Sequence, residues 1–371
     1  MNIPKIQWCS KCVYPSSSAV SLTFDEEGIC SGCRVNEQKK KIDWDERLRW
    51  LLEEIEPYRK SSGYECVIGV SGGKDSYYQV HFAKEILGLN PLLVTYNGNN
   101  YLDEGWKNLQ KMKDVFNVDH IIFSPGTDIL IRLNRLGYTK MGDMNWHNHA
   151  GIASVPMRIA CNMQIPLVLW GEHGWTDLGG MHSMHDLVEY TARYRKDQLL
   201  RGYDWFDMLN DPIEKITEKE MEWCKYPNDE EINKLGLRGV FIGNYDPWDA
   251  NVHTRLVKEK YSWKESPVPF QRTYRRFSNL DDRYENGVHD YLKYIKFGYG
   301  RGTDHACKDI RAGYMTREEG IEMVKKYDHI RSDDTDIWLD YVGMSSEKFD
   351  KIANSFRSTK VWLEDKSGNW R

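Results

Sequence analysis

Short apolar runs alternate with longer amphipathic stretches through the middle of the chain. The runs are rich in Val, Ile and Leu and have the length of buried strands. They cover residues 66–70, 92–96, 120–123, 165–170 and 237–242. Helix-period segments stand between several of them, at 77–87, 104–116 and 127–136. Strands that alternate with helices predict an α/β fold, a doubly wound parallel sheet with its ligands at the carboxyl ends of the strands.

The hydrophobic pattern changes on both sides of this alternation. Residues 39–60 are charged, with apolar positions at near-helical spacing, and predict one amphipathic helix. Past Asp249 the pattern is helical, with a capping box at Thr316 and Glu319 and a last helix from Ser346. We therefore expect an N-terminal module, a connecting helix, the α/β domain and a helical C-terminal region that contributes to the substrate site. These parts span residues 1–40, 41–60, 61–248 and 249–371.

Length and charge limit the classes of function. A chain of 371 residues predicts more than one core, and a net charge of −5 gives no support to a general nucleic-acid binder. No apolar run reaches the roughly 18 residues of a membrane span, and the N-terminus lacks the apolar core of a signal peptide. We expect a cytoplasmic protein that has neither a membrane nor a nucleic acid as its partner.

Four of the eight cysteines form two closely spaced pairs near the N-terminus. Cys9 and Cys12 form one pair, Cys30 and Cys33 form the other, and seventeen residues separate the pairs. Two such turns can close a tetrahedral site of four thiolates, as in a zinc ribbon or knuckle, and the intervening residues 23–29 have a hairpin pattern that would bring them together. The spacing predicts a structural Zn²⁺, with a redox dithiol as the rival interpretation.

The first apolar run ends in a glycine turn that opens a helix. The turn consists of Ser71, Gly72, Gly73, Lys74, Asp75 and Ser76. Two adjacent glycines let the backbone approach a ligand, while Asp75 and Ser76 have good helix N-cap chemistry. Unpaired N–H groups, the helix dipole and the Ser71, Lys74 and Ser76 side chains together predict an anion site in an exposed loop. The spacing is not that of a Walker loop, and an ordinary strand–turn–helix corner is the alternative.

Later strand ends and histidine pairs supply further candidates. Gly171 and Glu172 follow the fourth apolar run, where the carboxylate would lie beside a nucleotide or its metal ion. His182 and His185 are predicted to contact substrate rather than a second metal, because no third ligand is evident nearby. The same interpretation applies to His147 and His149.

Arg301 lies in a glycine-rich stretch between two predicted helices. Three alternating glycines in residues 297–304 would expose backbone donors beside a fixed cation, which suits a phosphate or a carboxylate. A plain connector between helices fits the same spacing equally well.

The glycine turn resembles the Ser-Gly-Gly-x-Asp-Ser loop of the PP-loop ATP pyrophosphatases, which cleave ATP between its α and β phosphates. Further motifs, in a distinctive order over nearly the whole chain, make the sequence similar to the N-acetyl sugar amidotransferases of that superfamily. They are Thr-Phe-Asp-Glu-Glu-Gly-Ile-Cys-Ser-Gly-Cys, Ile-Asp-Trp, Leu-Leu-Val-Thr-Tyr, Leu-Trp-Gly-Glu, Tyr-Asp-Pro-Trp-Asp, Asn-Gly-Val-His-Asp-Tyr and Phe-Gly-Tyr-Gly-Arg-Gly-Thr-Asp.

The resemblance implies a PP-loop fold and an ATP-dependent conversion of a sugar N-acetyl group into an acetamidino group. Such products enter bacterial lipopolysaccharide O-antigens, capsules or the nonulosonic acids of flagellin. An amide oxygen is a poor leaving group, so it must first be adenylated while pyrophosphate departs. The resemblance implies catalytic roles for Lys74, Asp75 and Ser76 with Mg²⁺. It places ATP at the glycine turn, at the backbone of Tyr96, and at Gly171 and Glu172.

The resemblance also implies partners. The substrate would be an N-acetylated sugar, either nucleotide-linked or a nonulosonate. The chain shows no glutaminase signature, so a separate glutaminase, paired with a cyclase-like subunit, is expected to supply ammonia.

Two other functions stay open at this stage. A tRNA thiolase with the same loop would use cysteines as persulfide carriers or iron–sulfur ligands. Four cysteines remain when the other four are assigned to the metal site. They are Cys66, Cys161, Cys224 and Cys307. A thiolase also needs a basic tRNA surface, which an acidic chain does not predict. A non-catalytic zinc-containing scaffold would have a degenerate nucleotide site, and the intact loop argues against it.

Overall fold

A parallel sheet of five strands forms the centre of the described structure, in the order β3-β2-β1-β4-β5. The computed structural model describes residues 5–98, 100–365 and 370. The strands are β1 Cys66–Gly69, β2 Pro91–Tyr96, β3 His120–Phe123, β4 Leu167–Trp170 and β5 Arg238–Phe241. In the register, Val67 of β1 pairs with Leu92 of β2 on one side and with Val168 of β4 on the other. The chain order therefore reverses at β1, which makes its carboxyl end the switch point of the sheet.

Fifteen α-helices surround and extend this sheet within the described residues. The first nine are α1 Ser31–Lys39, α2 Trp44–Ile55, α3 Lys74–His81, α4 Asp103–Phe116, α5 Thr127–Met141, α6 Trp146–Asn162, α7 Gly174–Gly179, α8 Ala192–Tyr194 and α9 Asp229–Leu235. The rest are α10 Ala250–Tyr261, α11 Glu285–Phe297, α12 Arg301–Ala312, α13 Arg317–Tyr327, α14 Asp334–Val342 and α15 Ser346–Ser355. Short 3₁₀ or π turns occupy Glu56–Tyr58, Phe82–Ile86, Arg195–Leu199, Trp205–Met208, Glu218–Cys224 and Ile242–Asn244.

Both faces of the sheet are buried, because successive side chains of a strand point to opposite faces. On one face Val67 and Val168 pack against α6 in one core cluster. On the other face Ile68 and Leu169 pack with Tyr77 of α3 in a second cluster. The predicted doubly wound α/β fold is confirmed, together with the four-cysteine cluster near the N-terminus and the helical C-terminal region.

The helix predicted over residues 39–60 is present but shorter, as α2 Trp44–Ile55. The structure has α1 before this segment and α2 within it, separated by a break at residues 40–43. Asp43 causes the break, because its carboxylate accepts a hydrogen bond from the Glu46 N–H at 3.0 Å and so caps a new helix. The pattern of apolar residues continues across the gap, and for that reason the break is not visible in the periodicity alone.

The cysteine module packs against the C-terminal region. Its buried cysteines share a core cluster with Tyr299 and Ala306. The Tyr14 hydroxyl donates to an Asp304 carboxylate oxygen at 2.6 Å, and Arg317 donates to the carbonyl of Cys12 at 3.1 Å. The two ends of the chain are therefore joined by both apolar and polar contacts. Among the described residues, no helix combines the length and the apolar character needed to cross a membrane.

Candidate active site

The glycine turn lies at the carboxyl end of β1 and leads directly into α3. Gly72 has a φ of +74°, and a Cβ there would lie 2.7 Å from the backbone of Leu109 in α4. The position therefore requires glycine for its backbone conformation and for the close approach of α4. The first N–H groups of α3 have no partners within the helix, so this end of β1 offers donors to an anion. The turn is called the phosphate loop below.

The predicted N-cap of α3 is wrong. Gly73 is the N-cap and makes no side-chain cap, whereas the Ser76 hydroxyl accepts a hydrogen bond from the Ser71 N–H at 2.9 Å. Ser76 thus closes the loop on itself. The loop is also half-buried rather than exposed, because the Trp263 indole N–H donates to the Gly72 carbonyl at 2.9 Å. Sequence could not show this, since Trp263 lies far along the chain.

Asp75 meets a buried histidine from α10. The Nδ1 of His253 lies 3.7 Å from Asp75 Oδ1, and His253 is fully buried, stacked on the Tyr78 ring. Burial acts to raise the pKa of Asp75, but Lys74 and His253 outweigh it and hold the pKa below its usual range. The carboxylate is therefore ionised. Among the described groups, Asp75 Oδ1 and both ring nitrogens of His253 have no hydrogen-bond partner. Buried polar atoms without partners indicate room for a ligand, an ion or water.

Glu172 lies at the end of β4, next to β1, and binds a lysine from α12. The Lys308 ammonium lies 2.7 Å from Glu172 and 2.9 Å from Asp177. Burial raises the pKa of Glu172, and the nearby charges of Asp177 and Asp75 add to the effect. Glu172, Asp177 and Lys308 line a cavity of about 280 Å³ with Trp248. The structure thus places Glu172 within electrostatic reach of the phosphate loop.

The two other predicted nucleotide positions lie on strand ends of the same sheet. Tyr96 ends β2, and its side chain is buried against Trp223, so only its backbone faces this edge as a possible adenine contact. Gly171 follows β4, and a Cβ there would lie 2.9 Å from both Gln79 and Trp248. The close packing explains the glycine without a ligand. The assignments of Tyr96 and Gly171 to the nucleotide stay predictions.

Of the predicted substrate residues, Arg301 and His149 line a second cavity, whereas His182 and His185 do not. His182 lines a separate groove with Arg34 and Gln38, and His185 is exposed. Arg301 begins α12 and lines the second cavity with Lys293. The structure therefore does not bring His182 and His185 to Arg301.

The glycine-rich stretch before α12 is a connector between helices. The Asp328 carboxylate accepts hydrogen bonds from the Thr303 N–H at 3.1 Å and from the Thr303 hydroxyl at 2.5 Å. A Cβ on Gly302 would lie 2.7 Å from the same carboxylate. A protein carboxylate thus occupies the position at which the sequence suggested a ligand anion, and Arg301 alone retains a candidate binding role.

The four predicted cysteines form a compact buried cluster. The Sγ atoms of Cys9, Cys12, Cys30 and Cys33 all lie within 4.8 Å of one another. Cys12 and Cys30 are 3.7 Å apart, and Cys9 and Cys33 are 4.0 Å apart. Four sulfurs at about 2.3 Å from a central zinc would be about 3.8 Å apart, so the donor set fits a tetrahedral metal. Backbone N–H groups of Lys11, Cys12 and Cys30 point at Cys9 Sγ from 3.3 to 3.4 Å, as expected for a thiolate acceptor.

Sequence reasoning missed the residues that the C-terminal region brings to the site. They are Trp263, His253 and Lys308. Each lies on a helix or loop far from the motif that it contacts, and a lone lysine or histidine on a helix carries no local signal. Asp246, by contrast, lies in the Tyr-Asp-Pro-Trp-Asp motif quoted above, and its carboxylate accepts a hydrogen bond from Tyr78 in α3 at 2.8 Å.

One family model matches the C-terminal region. Residues 271–371 match the family model described as "LPS biosynthesis protein WbpG-like, C-terminal domain". An uncharacterized protein of Methanocaldococcus jannaschii is 30% identical over 118 residues, which are 31% of this chain and 42% of that protein. The chain thus spans less than half the length of this curated relative.

Solved structures of three other proteins are similar to the chain at low sequence identity. An NH₃-dependent NAD synthetase of Campylobacter jejuni is 16% identical, with a TM-score of 0.30 over 52% of this chain and 92% of that one. The tRNA thiolase NcsA of Methanococcus maripaludis is 15% identical, with a TM-score of 0.34 over 92% and 95%. The NMN synthetase of Francisella tularensis is 14% identical, with a TM-score of 0.27 over 63% and 98%. The expected resemblance to a lipopolysaccharide-biosynthesis family is confirmed for residues 271–371.

Proposed function

From the match of the C-terminal region to the WbpG-like family, we propose that the chain is an ATP-dependent, AMP-forming amidotransferase. It converts the N-acetyl group of a sugar into an acetamidino group, for lipopolysaccharide O-antigen, capsule or nonulosonic acid synthesis. The observation that carries the proposal is the phosphate loop at the switch point of the sheet, with Glu172 on the neighbouring strand end. The family match directs this nucleotide chemistry towards surface polysaccharides.

In the first step the oxygen of the acetamido group attacks the α-phosphorus of ATP. An O–P bond forms, the bond to the bridging oxygen breaks, and pyrophosphate leaves. Negative charge develops on the departing group, where the N-terminal N–H groups of α3 and the Lys74 ammonium stabilise it. Ser76 holds the loop in shape through the Ser71 N–H.

In the second step ammonia attacks the imidate carbon. The C–O bond breaks, AMP leaves with the former amide oxygen, and loss of a proton gives the acetamidino group. The reaction needs no covalent bond to the protein. Water must be kept from the adenylated sugar, and the cover that Trp263 places over the phosphate loop serves that purpose.

Mg²⁺ fits the carboxylates at this site. Asp75 is ionised and has one buried oxygen without a hydrogen-bond partner among the described groups, and Glu172 supplies a second carboxylate at the end of the neighbouring strand. Carboxylate and phosphate oxygens are the ligands that Mg²⁺ prefers. When bound, the ion would neutralise charge on the phosphates of ATP.

The thiolase alternative is weakened by the state of the free cysteines. A persulfide carrier works as an accessible thiolate. Cys66, Cys161, Cys224 and Cys307 are all buried, and burial raises the pKa of Cys66, Cys161 and Cys224. The thiols of Cys66, Cys161 and Cys224 therefore stay protonated, and all four cysteines are packed inside the protein.

The test is a reaction of the purified chain with ATP, ammonium chloride and a panel of N-acetylated sugars. The proposal predicts AMP and pyrophosphate in equal amounts with a sugar product lighter by the difference between oxygen and NH. AMP release that depends on sulfide and tRNA, with no change in any sugar, would contradict it and favour the thiolase.

A further inference from the structure

A second cavity of about 280 Å³ lies between α7, α11 and α12. It borders the candidate active site, because α7 contributes to both cavities. Trp175 and Leu178 of α7 line the second cavity, and Asp177 of the same helix lines the Glu172 cavity. Burial, and after it the charge of Glu172, raises the pKa of Tyr194, which lines the second cavity. Four cations line it as well. They are Arg201, Lys293, Lys296 and Arg301, and the space that they surround is called the cationic cavity.

Most of the carboxylates that form ion pairs with these cations do not line the cavity. Arg301 binds Asp290 at 2.9 Å, and Arg201 binds Asp143 at 2.7 Å. Both aspartates are almost fully buried and neither lines the cavity. Asp304, the partner of Lys293, is the one carboxylate among the described lining residues. The lining therefore carries an excess of positive charge towards the cavity.

Lys296 is the lining cation whose charge is least balanced by neighbouring carboxylates. Its ammonium donates to the Gly142 carbonyl at 2.8 Å, and within the described part of the chain no carboxylate lies at ion-pair distance. Burial lowers its pKa to about 8. Near it, the buried Nδ1 of His149 has no hydrogen-bond partner among the described groups, and His149 lines the same cavity. A buried ammonium and a free imidazole nitrogen are groups that an anionic, hydroxyl-bearing ligand would satisfy.

Aromatic side chains also line the cavity. They are Trp175, Tyr194, Phe297 and Tyr299. Flat apolar faces beside a few charged groups are typical of sites for small cyclic ligands. A free inorganic anion would need the cations but not these faces.

We infer that the cationic cavity binds the anionic group of an N-acetylated sugar, either the carboxylate of a sugar acid or the phosphate of a nucleotide sugar. Lys296, Arg201 and Arg301 bind the charge, and the aromatic side chains hold the ring. The identification of this sugar as a substrate rests on the proposed function, whereas the binding of an anionic sugar does not.

Calorimetric titration of the full chain without ATP tests the site. The probes are N-acetylneuraminic acid for a sugar carboxylate, UDP-N-acetylglucosamine for a sugar phosphate, and neutral N-acetylglucosamine. We expect one anionic sugar to bind at least about tenfold more tightly than the neutral sugar, because a charge-assisted hydrogen bond contributes roughly that much. Which anionic probe binds identifies the source of the charge.

The variants are Lys296→Met and Arg201→Gln, with Lys325→Met as the control for loss of a lysine from an exposed helix surface. We expect Lys296→Met and Arg201→Gln each to weaken the binding of the anionic sugar by about tenfold or more and to leave the affinity for the neutral sugar unchanged. The control should bind as the parent does. Near-ultraviolet circular dichroism and chemical unfolding show which variants are folded. If Lys296→Met is unfolded, Arg201→Gln tests the site instead, because its side chain is partly exposed.

Equal affinity for neutral and anionic sugars, no binding of either anionic sugar, or unchanged affinity in the folded variants would overturn the inference. These results are separable from the proposed function. Amidation with an unchanged KM in Lys296→Met would leave the amidotransferase standing and reject the cavity. Loss of anionic sugar binding in the variants, with no amidation of any sugar by the parent, would leave the cavity standing and reject the amidotransferase.

Discussion

Gly72 is the residue on which the shape of the phosphate loop depends most. Its positive φ and its contact with the Leu109 backbone exclude a Cβ. Gly72→Ala should therefore destabilise the fold by about 1–3 kcal/mol and abolish ATP binding, since the loop cannot keep its path beside α4. Chemical unfolding and nucleotide titration measure the two effects. Gly126→Ala, where a Cβ meets no atom within 4 Å, is the control, and equal behaviour of the two variants would refute the steric argument.

Asp75 is the residue most directly tied to the chemistry. Asp75→Asn keeps the shape of the side chain but removes the charge that faces His253 and Lys74. We expect AMP formation to fall by about 10²–10³, the usual cost of losing one oriented electrostatic group. Ser71→Ala should act in the same direction.

A quenched assay of AMP formation checks this prediction. Asp128→Asn, at an exposed position on α5, controls for the loss of a carboxylate. AMP formation at the parental rate in Asp75→Asn would show that the phosphate loop is not the reaction site.

Lys296 gives a pH dependence with a definite sign. Burial lowers its pKa in the folded chain to about 8 from the usual 10.5, and Arg201 and Lys293 act in the same direction against Asp143. His149 and His289, which also line the cavity, have pKa values lowered by burial and are neutral in this range. Between the two Lys296 values the unfolded chain binds more protons than the folded chain, so this group makes stability rise with pH.

Urea unfolding of the parent and of Lys296→Met across that pH range measures the effect. We expect the parent to gain stability relative to the variant as pH rises, by at most about 1.4 kcal/mol per pH unit. A stability difference that does not change with pH would contradict the assignment of a neutral lysine to the folded state.

At the scale of single residues, local motifs were predictable and tertiary partners were not. The phosphate loop and the four cysteines lie within short stretches whose spacing reflects their chemistry. His253 and Lys308 reach the site from α10 and α12, and only the packing of these helices shows their role. The phosphate loop is half-buried rather than exposed as predicted, because Trp263, which lies far along the chain, packs against it.

Among the elements, α12 connects the cysteine cluster with both cavities. Arg301, Asp304, Lys308 and Arg311 recur at helical spacing along it. Arg301 lines the cationic cavity, Asp304 binds Tyr14, and Lys308 binds Glu172. The Arg311 guanidinium donates to Cys30 Sγ at 3.4 Å. The cluster therefore fixes one end of the helix that carries residues of the candidate site.

Metal removal should loosen α12. We expect elemental analysis to find one zinc per chain, and Cys12→Ser or a strong chelator to release it. Because Arg311 then loses its thiolate acceptors, hydrogen exchange should accelerate in α12 and the N-terminal module, while α5 on the sheet face keeps its protection. Iron in place of zinc would support the thiolase, and unchanged exchange in α12 after metal loss would refute the connection.

Element prediction succeeded where hydrophobic period and length agree. All five strands are present, and Thr316 opens α13 with the expected capping box. It set the start of α2 too early, because the apolar pattern runs through a break at which Asp43 caps the helix, and it made no prediction for α1. No prediction was made for α6, which is mostly buried around Pro156 and therefore lacks an amphipathic period.

For the whole molecule, the supply of ammonia is the main question. Ammonia at neutral pH is mostly ammonium, which cannot attack, so a partner glutaminase with a cyclase-like subunit is proposed as the source. The purified chain should turn over with high ammonium chloride and fail with glutamine. Adding the glutaminase pair should restore glutamine-supported turnover, and glutamine use by the single chain would contradict the proposal.

The fate of the acetamido oxygen tests the central claim most directly. A sugar that carries a heavy isotope of oxygen in its N-acetyl group is incubated with the chain, ATP and ammonium, and the phosphate products are analysed by mass spectrometry. If the amide oxygen is adenylated, the label appears in AMP and is absent from pyrophosphate. Label retained in the sugar, or found in inorganic phosphate or pyrophosphate, would contradict an adenylated imidate and with it the proposed function.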